Sequence, residues 1–145
     1  MVKRISILFG TRPEAIKLCP LVLATRQCAG VESNVCVTGQ HREMLDQVLD
    51  VFGVVPDVDL SLMAPNQSLS ELTSKAIAAI HQYLMRYRPD IVVVQGDTTT
   101  TLCAALAAFY LRIPIGHVEA GLRTGNKFSP FPEEVNRVMT TRIAD

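Results

Sequence analysis

The sequence has no tryptophan, and aromatic residues make up only 6% of its 145 positions. It has no basic run and no excess of either sign, because 14 Lys and Arg offset 14 Asp and Glu. Nucleic-acid binding needs a positive footprint and, for single strands, aromatic platforms, so that class is excluded. Apolar residues reach 48%, yet no unbroken apolar run approaches the roughly 18 residues of a membrane span. The apolar stretch from Ile5 is cut at Gly10-Thr11-Arg12-Pro13, too early for a secretory leader. The cysteines, Cys19, Cys28, Cys36 and Cys103, show neither a C-x-x-C pair nor metal-ligand spacing. They read as reduced core thiols of a cytoplasmic protein, with no metal implied. The G-x-G-x-x-G dinucleotide fingerprint is missing as well, so no nicotinamide or flavin cofactor is indicated.

What is present is an alternation of strands and helices. Ile91-Val92-Val93-Val94 is a β-branched run fenced by Pro89-Asp90 and Gly96-Asp97, the pattern of a strand buried on both faces. Thr98 to Leu111 is apolar on nearly every side and predicts a helix packed on a sheet. Pro114 stops it, and Ile115 to Val118 forms a further strand ending in Glu119. Strand, helix, strand at this spacing is a right-handed βαβ unit with parallel strands. Earlier in the chain, Arg4 to Phe9 and Glu32 to Thr38 read as strands, with a short third one near Val58 to Leu60. Thr11 with Glu14, and Ser68 with Glu71, have capping-box spacing. The 145 residues suit a single domain. The predicted fold is α/β, a doubly wound parallel sheet of strand order 3-2-1-4-5.

In such a sheet, ligands sit at the carboxyl ends of the strands. That edge receives Asp97 and Glu119, with Glu133 opening the last helix and Arg12 and Lys17 near the start of the first. The order predicts Arg12 beside Asp97, an anion clamp next to an acid pair. Gln40, His41 and Arg42 follow another strand at the same edge. Plain structural readings stand beside these. Asp97 can serve as a helix N-cap, Glu119 can pair with Arg123, and Glu133 can answer a helix dipole. Arg12, Lys17, His41 and Arg42 can be solvated cations, and His81 a surface or packing residue. The polar loop from Ala120 to Lys127 is expected to be mobile. The pattern supports acid–base chemistry on an anionic ligand without identifying the ligand.

The motifs Phe9-Gly10-Thr11-Arg12-Pro13-Glu14-Ala15-Ile16-Lys17, Gln40-His41-Arg42-Glu43-Met44-Leu45-Asp46-Gln47-Val48-Leu49, Gly96-Asp97-Thr98-Thr99-Thr100-Thr101, His117-Val118-Glu119-Ala120-Gly121-Leu122-Arg123-Thr124 and Ser129-Pro130-Phe131-Pro132-Glu133-Glu134 run along nearly the whole chain. In these the sequence resembles the non-hydrolysing UDP-N-acetylglucosamine 2-epimerases of bacteria. The resemblance implies two Rossmann-like domains of GT-B type with a cleft between them. Residues 1–145 would be an incomplete N-terminal domain, cut within a longer protein, and the UDP-binding domain would lie outside them. It implies interconversion of UDP-GlcNAc and UDP-ManNAc without nicotinamide, through loss of UDP to a 2-acetamidoglucal and its re-addition. By motif, Asp97, Glu119 and Glu133 fall at catalytic positions, and Arg12 and Lys17 at substrate contacts. Gln40, His41 and Arg42 fall where some relatives bind a second UDP-GlcNAc as activator. A cytoplasmic homodimer feeding cell-envelope polysaccharide synthesis is implied too. The rivals are a GT-B glycosyltransferase and a non-catalytic nucleotide-sugar-binding module.

Overall fold

The computed structural model describes residues 1–39 and 42–145. In chain order it comprises β1 (Lys3–Phe9), α1 (Arg12–Arg26), β2 (Val31–Val37), α2 (Arg42–Phe52), β3 (Val58–Asp59), α3 (Leu69–Tyr87), β4 (Ile91–Gln95), α4 (Thr99–Tyr110), β5 (Ile115–Val118) and α5 (Glu133–Ile143). The five strands form one parallel sheet of order β3-β2-β1-β4-β5, as predicted.

Alternation along the strands builds two cores. Ile7, Phe9, Val35, Val37 and Val93 face Leu18 and Val22 of α1 and Leu45 and Leu49 of α2. Leu8, Cys36, Val92 and Val94 face Ile80 and Leu84 of α3 and the alanines of α4. Successive strand residues point to opposite faces, so a sheet covered on both sides is apolar at most positions of its central strands. In α4, Ala104, Ala105, Ala107 and Ala108 are all fully buried. Their small side chains let this helix pack against both α3 and α5 while lying on β4 and β5. α1 continues through Pro20, on its solvent side. There the carbonyl left without an N–H partner can reach water.

Three of the four cysteines are buried as expected, but Cys28 is exposed just beyond α1. Burial pushes the Cys19 thiol up to about 11 and those of Cys36 and Cys103 up to about 12, which leaves them protonated. Among the described residues no cluster has the make-up of a metal site, and no helix is long and apolar enough to cross a membrane.

One polar bridge lies inside the sheet–α3 interface. The Tyr83 hydroxyl donates to Asn34 Oδ1 at 2.6 Å and stands 2.6 Å from Ser6 Oγ. Tyr83→Phe leaves both partners short of a hydrogen bond, and is expected to cost about 1–3 kcal/mol of unfolding free energy in a denaturant titration. A change below about 0.5 kcal/mol, the range of neutral surface substitutions, would show that the bridge carries no stability.

Candidate active site

The turns after β1 and β4, the residue after β5 and the start of α5 enclose a cavity of about 410 Å³. β1 and β4 are hydrogen-bonded neighbours whose following helices lie on opposite faces of the sheet, which opens a crevice between their ends. Lys17, Asp97, Glu119 and Glu133 all line it. Arg12 does not. Its side chain lies in a separate depression with Ile16 of α1 and Gln47, Val48, Val51 and Phe52 of α2. The expectation of Arg12 beside Asp97 is therefore corrected. Pro13, Glu14 and Lys17 face the cavity, while Arg12 at the helix start turns toward the α2 side.

The cation beside Asp97 is instead Arg137 of α5, whose Nη2 pairs with Asp97 Oδ2. Arg137 is only 8% exposed. The neighbouring Asn136 donates from Nδ2 to the Asp97 carbonyl at 3.0 Å. Glu133 and Arg137 are spaced i, i+4 and so share one face of the helix. That spacing was the available signal for Arg137. Asp97 is not the N-cap of α4; Thr98 is, its Oγ1 accepting the Thr101 N–H at 3.1 Å. The helix start thus leaves the Asp97 carboxylate free for other work.

Glu119 does not pair with Arg123, which donates to the carbonyls of Ala120 and Leu122. Its Oε2 instead takes Lys17 Nζ and Gln95 Nε2. Glu119 has φ 56°, the left-handed region that a residue with a β-carbon enters at a cost. A buried amide, a lysine and the end of β5 hold it there. The Lys17 and Glu119 side chains are 44% and 47% exposed, and ion pairs that open stabilise by about 1 kcal/mol or less. Stability therefore does not account for the pairing. Glu133 makes no ion pair or side-chain hydrogen bond among the described residues.

His117 holds the frame. Its Nε2–H donates to the Gly96 carbonyl at 2.7 Å, and Nδ1 lies 3.3 Å from Thr141 Oγ1 of α5. Burial pushes the imidazole below its usual range, opposed by the bond to Gly96, so the ring is neutral near pH 7. The loop expected to be mobile is anchored by Glu134, which accepts from the Thr124 N–H at 3.1 Å and the Gly125 N–H at 3.0 Å. Of the Gln40-His41-Arg42 group, Gln40 and His41 fall outside the described residues. Arg42 is held by Asp46 at 2.8 Å and by Asp59, away from the acid cavity.

The cavity thus combines Asp97, Glu119 and Glu133, on three separate elements, and Glu14 of α1 with a lysine and a buried arginine, a set suited to moving protons on a ligand held between them. The family model described as UDP-N-acetylglucosamine 2-epimerase matches residues 23–145. The UDP-N-acetylglucosamine 2-epimerase of Escherichia coli (strain K12) is 56% identical over 97% of this chain and 38% of its own length. That of Bacillus subtilis (strain 168) is 57% identical over 98% of this chain and 37% of its own length. The UDP-GlcNAc 2-epimerase of Neisseria meningitidis, solved bound to UDP-GlcNAc, superimposes with a TM-score of 0.94 at 52% identity, over 97% of this chain and 38% of that one. The chain therefore spans little more than a third of the length of these relatives, and within that span the match is almost continuous: it belongs to the UDP-N-acetylglucosamine 2-epimerase family.

Proposed function

We propose that this chain is the first of two Rossmann-like domains, and that the two-domain protein interconverts UDP-GlcNAc and UDP-ManNAc. The observation that carries this reading is the meeting of Asp97, Glu119 and Glu133 with Lys17 around one cavity at the carboxyl edge of the sheet. The C2 hydrogen of the sugar is barely acidic until the C1–O bond begins to break. A carboxylate removes that proton as UDP leaves with the bonding pair, giving a glucal with a C1–C2 double bond. UDP oxygen then returns to C1 while a proton reaches C2 from the other face. Inverting C2 requires proton transfer at both faces, or an intermediate that turns over, and carboxylates on three elements supply groups on more than one side.

Charge decides where the diphosphate goes. The cavity holds four carboxylates, Glu14 included, against Lys17 and Arg137. Such a site repels a diphosphate and suits the sugar ring. The leaving group then needs cations beyond the cavity, from Arg12 on the adjoining side of α1 and from the second domain. Activator binding at residues 40–42 belongs to the same proposal, with Arg42 positioned by Asp46 and Asp59. Assembly as a homodimer and a cytoplasmic location follow from the same family reading.

The test is incubation of the full-length protein with UDP-GlcNAc in D₂O. Deuterium at C2 and the appearance of UDP-ManNAc are the expected results. Transfer of the sugar to an acceptor with no label at C2 would point to a glycosyltransferase. Residues 1–145 alone should show neither label nor product under the same conditions, because the diphosphate-binding half is missing. Turnover by that piece would refute the two-domain reading.

A further inference from the structure

Two capping boxes in this chain do the same local job in different surroundings. At the start of α3, Glu71 accepts the Ser68 N–H at 2.8 Å on an exposed surface. At the start of α1, Glu14 accepts the Thr11 N–H at 2.8 Å, yet it is 1% exposed and makes no ion pair among the described residues. Burying a carboxylate without a cation is costly, and the α3 box shows that capping does not require it. Burial raises the Glu14 carboxyl, opposed by hydrogen bonds from Gly10, Thr98 and Thr11.

The difference lies in the second oxygen. Glu14 Oε2 accepts the N–H groups of Gly10 at 2.9 Å and Thr11 at 2.8 Å, and the Thr11 hydroxyl at 2.8 Å. Oε1 crosses to the neighbouring turn, where the Thr98 hydroxyl donates to it at 2.7 Å. Thr101 Oγ1 lies 3.1 Å from the same oxygen, but its single proton has a shorter acceptor, the Gln95 carbonyl at 2.7 Å. Thr98 follows Asp97 directly, and Lys17 lies one helical turn after Glu14. One buried carboxylate thus joins the turn that carries Asp97 to the helix that carries Lys17, and through Lys17 to Glu119.

We propose that Glu14 is a positioning residue of the epimerase reaction, setting the separation between Asp97 and the Lys17–Glu119 pair through its bond from Thr98. This rests on the epimerase reading above. In Glu14→Gln, the amide oxygen replaces Oε2 and keeps the Gly10 and Thr11 donors. Its NH₂ group then faces Thr98 Oγ1, which already accepts the Thr101 N–H and can take a second donor only by turning its own proton to Thr101 Oγ1 at 3.0 Å. The cap survives, and the charge-assisted cross-link gives way to a weaker neutral one.

The test uses the full-length protein, C2 deuterium exchange, and kcat expressed per UDP-GlcNAc-binding site. Thr98→Ala should lower kcat by about 10–100-fold and Glu14→Gln by a smaller factor, each with KM changed by less than about threefold, the cost of a displaced reacting group. Thr98→Ser keeps the hydroxyl and should restore wild-type kcat. The double variant should be no slower than Thr98→Ala, because both act on the same link. A role confined to folding would lower the melting temperature and the number of binding sites but leave kcat per site unchanged. Thr98→Ala within about twofold of wild type, or losses that multiply in the double variant, overturn the inference. If Glu14→Gln fails to fold, the Thr98 pair decides alone: equal kcat in the Ala and Ser variants overturns it. Wild-type protein without C2 exchange would sink the epimerase reading itself, a distinct result from normal exchange in every variant.

Discussion

Glu119→Gln in the full-length protein is expected to slow C2 deuterium incorporation from UDP-GlcNAc by about 10²–10⁴-fold, the usual contribution of a positioned acid–base group. The substitution is nearly isosteric, and the side chain is half exposed, so the fold should survive with a melting temperature close to wild type. Its partners argue for the size of the effect. Lys17 and Gln95 both reach Oε2, and the backbone adopts φ 56° to place the carboxylate over the cavity. Strain of this kind persists only where the surroundings over-determine it, and it gathers at working residues. The loss should fall on kcat, with UDP-GlcNAc binding preserved, because the proposed reading puts the diphosphate and uridine outside this cavity. Exchange within tenfold of wild type would remove Glu119 from the chemistry and leave Asp97 and Glu133 as the acid–base pair.

Arg137→Met is the substitution with the largest expected effect on stability, about 3 kcal/mol of unfolding free energy. The guanidinium is almost fully buried and its Nε has no hydrogen-bond partner, so the residue is not an economical structural choice. Removing it leaves the Asp97 carboxylate, a quarter exposed, without its cation, and an unpaired charge in that setting is expensive. Asp97→Asn in the Arg137→Met background should therefore recover part of the loss, since the stranded charge disappears. Chemical denaturation of the four proteins of this cycle measures it. If Asp97→Asn deepens the loss, the two residues are not coupled through charge.

Much of the architecture was legible because each element carried its own local signal. The β-branched run 91–94, the capping residues at 11, 14, 68 and 71, and the strand–helix–strand spacing around Pro114 fixed the order of elements and made the sheet parallel. The strand order expected was a common one for a doubly wound sheet, and it brings Asp97 and Glu119 to one edge. Around the cavity, most of the differences come down to side-chain direction. Arg12 lies within a residue of the cavity in sequence, but the first turn of α1 aims it at α2. Asp97 has ideal cap spacing, yet Thr98 takes the cap. Arg123 is close to Glu119 in sequence, whereas Lys17 and Gln95 are close to it in space. The Arg12 and Glu119 outcomes depended on where neighbouring elements dock, and no local pattern encodes that, whereas the Thr98 cap is a local i, i+3 contact.

From the amino-acid order alone came the α/β class, the edge of the sheet at which chemistry collects, and the carboxylates and lysine that line the cavity there. Docking alone decided the rest: Arg137 as the partner of Asp97, Gln95 and Lys17 on Glu119, and the second oxygen of Glu14 reaching across to Thr98. The reason is physical. Hydrophobic periodicity and capping are short-range and repeat along the chain, so a sequence displays them directly. Hydrogen bonds and ion pairs between residues 24 to 102 positions apart exist only after the helices have packed and fixed which rotamers face the cavity.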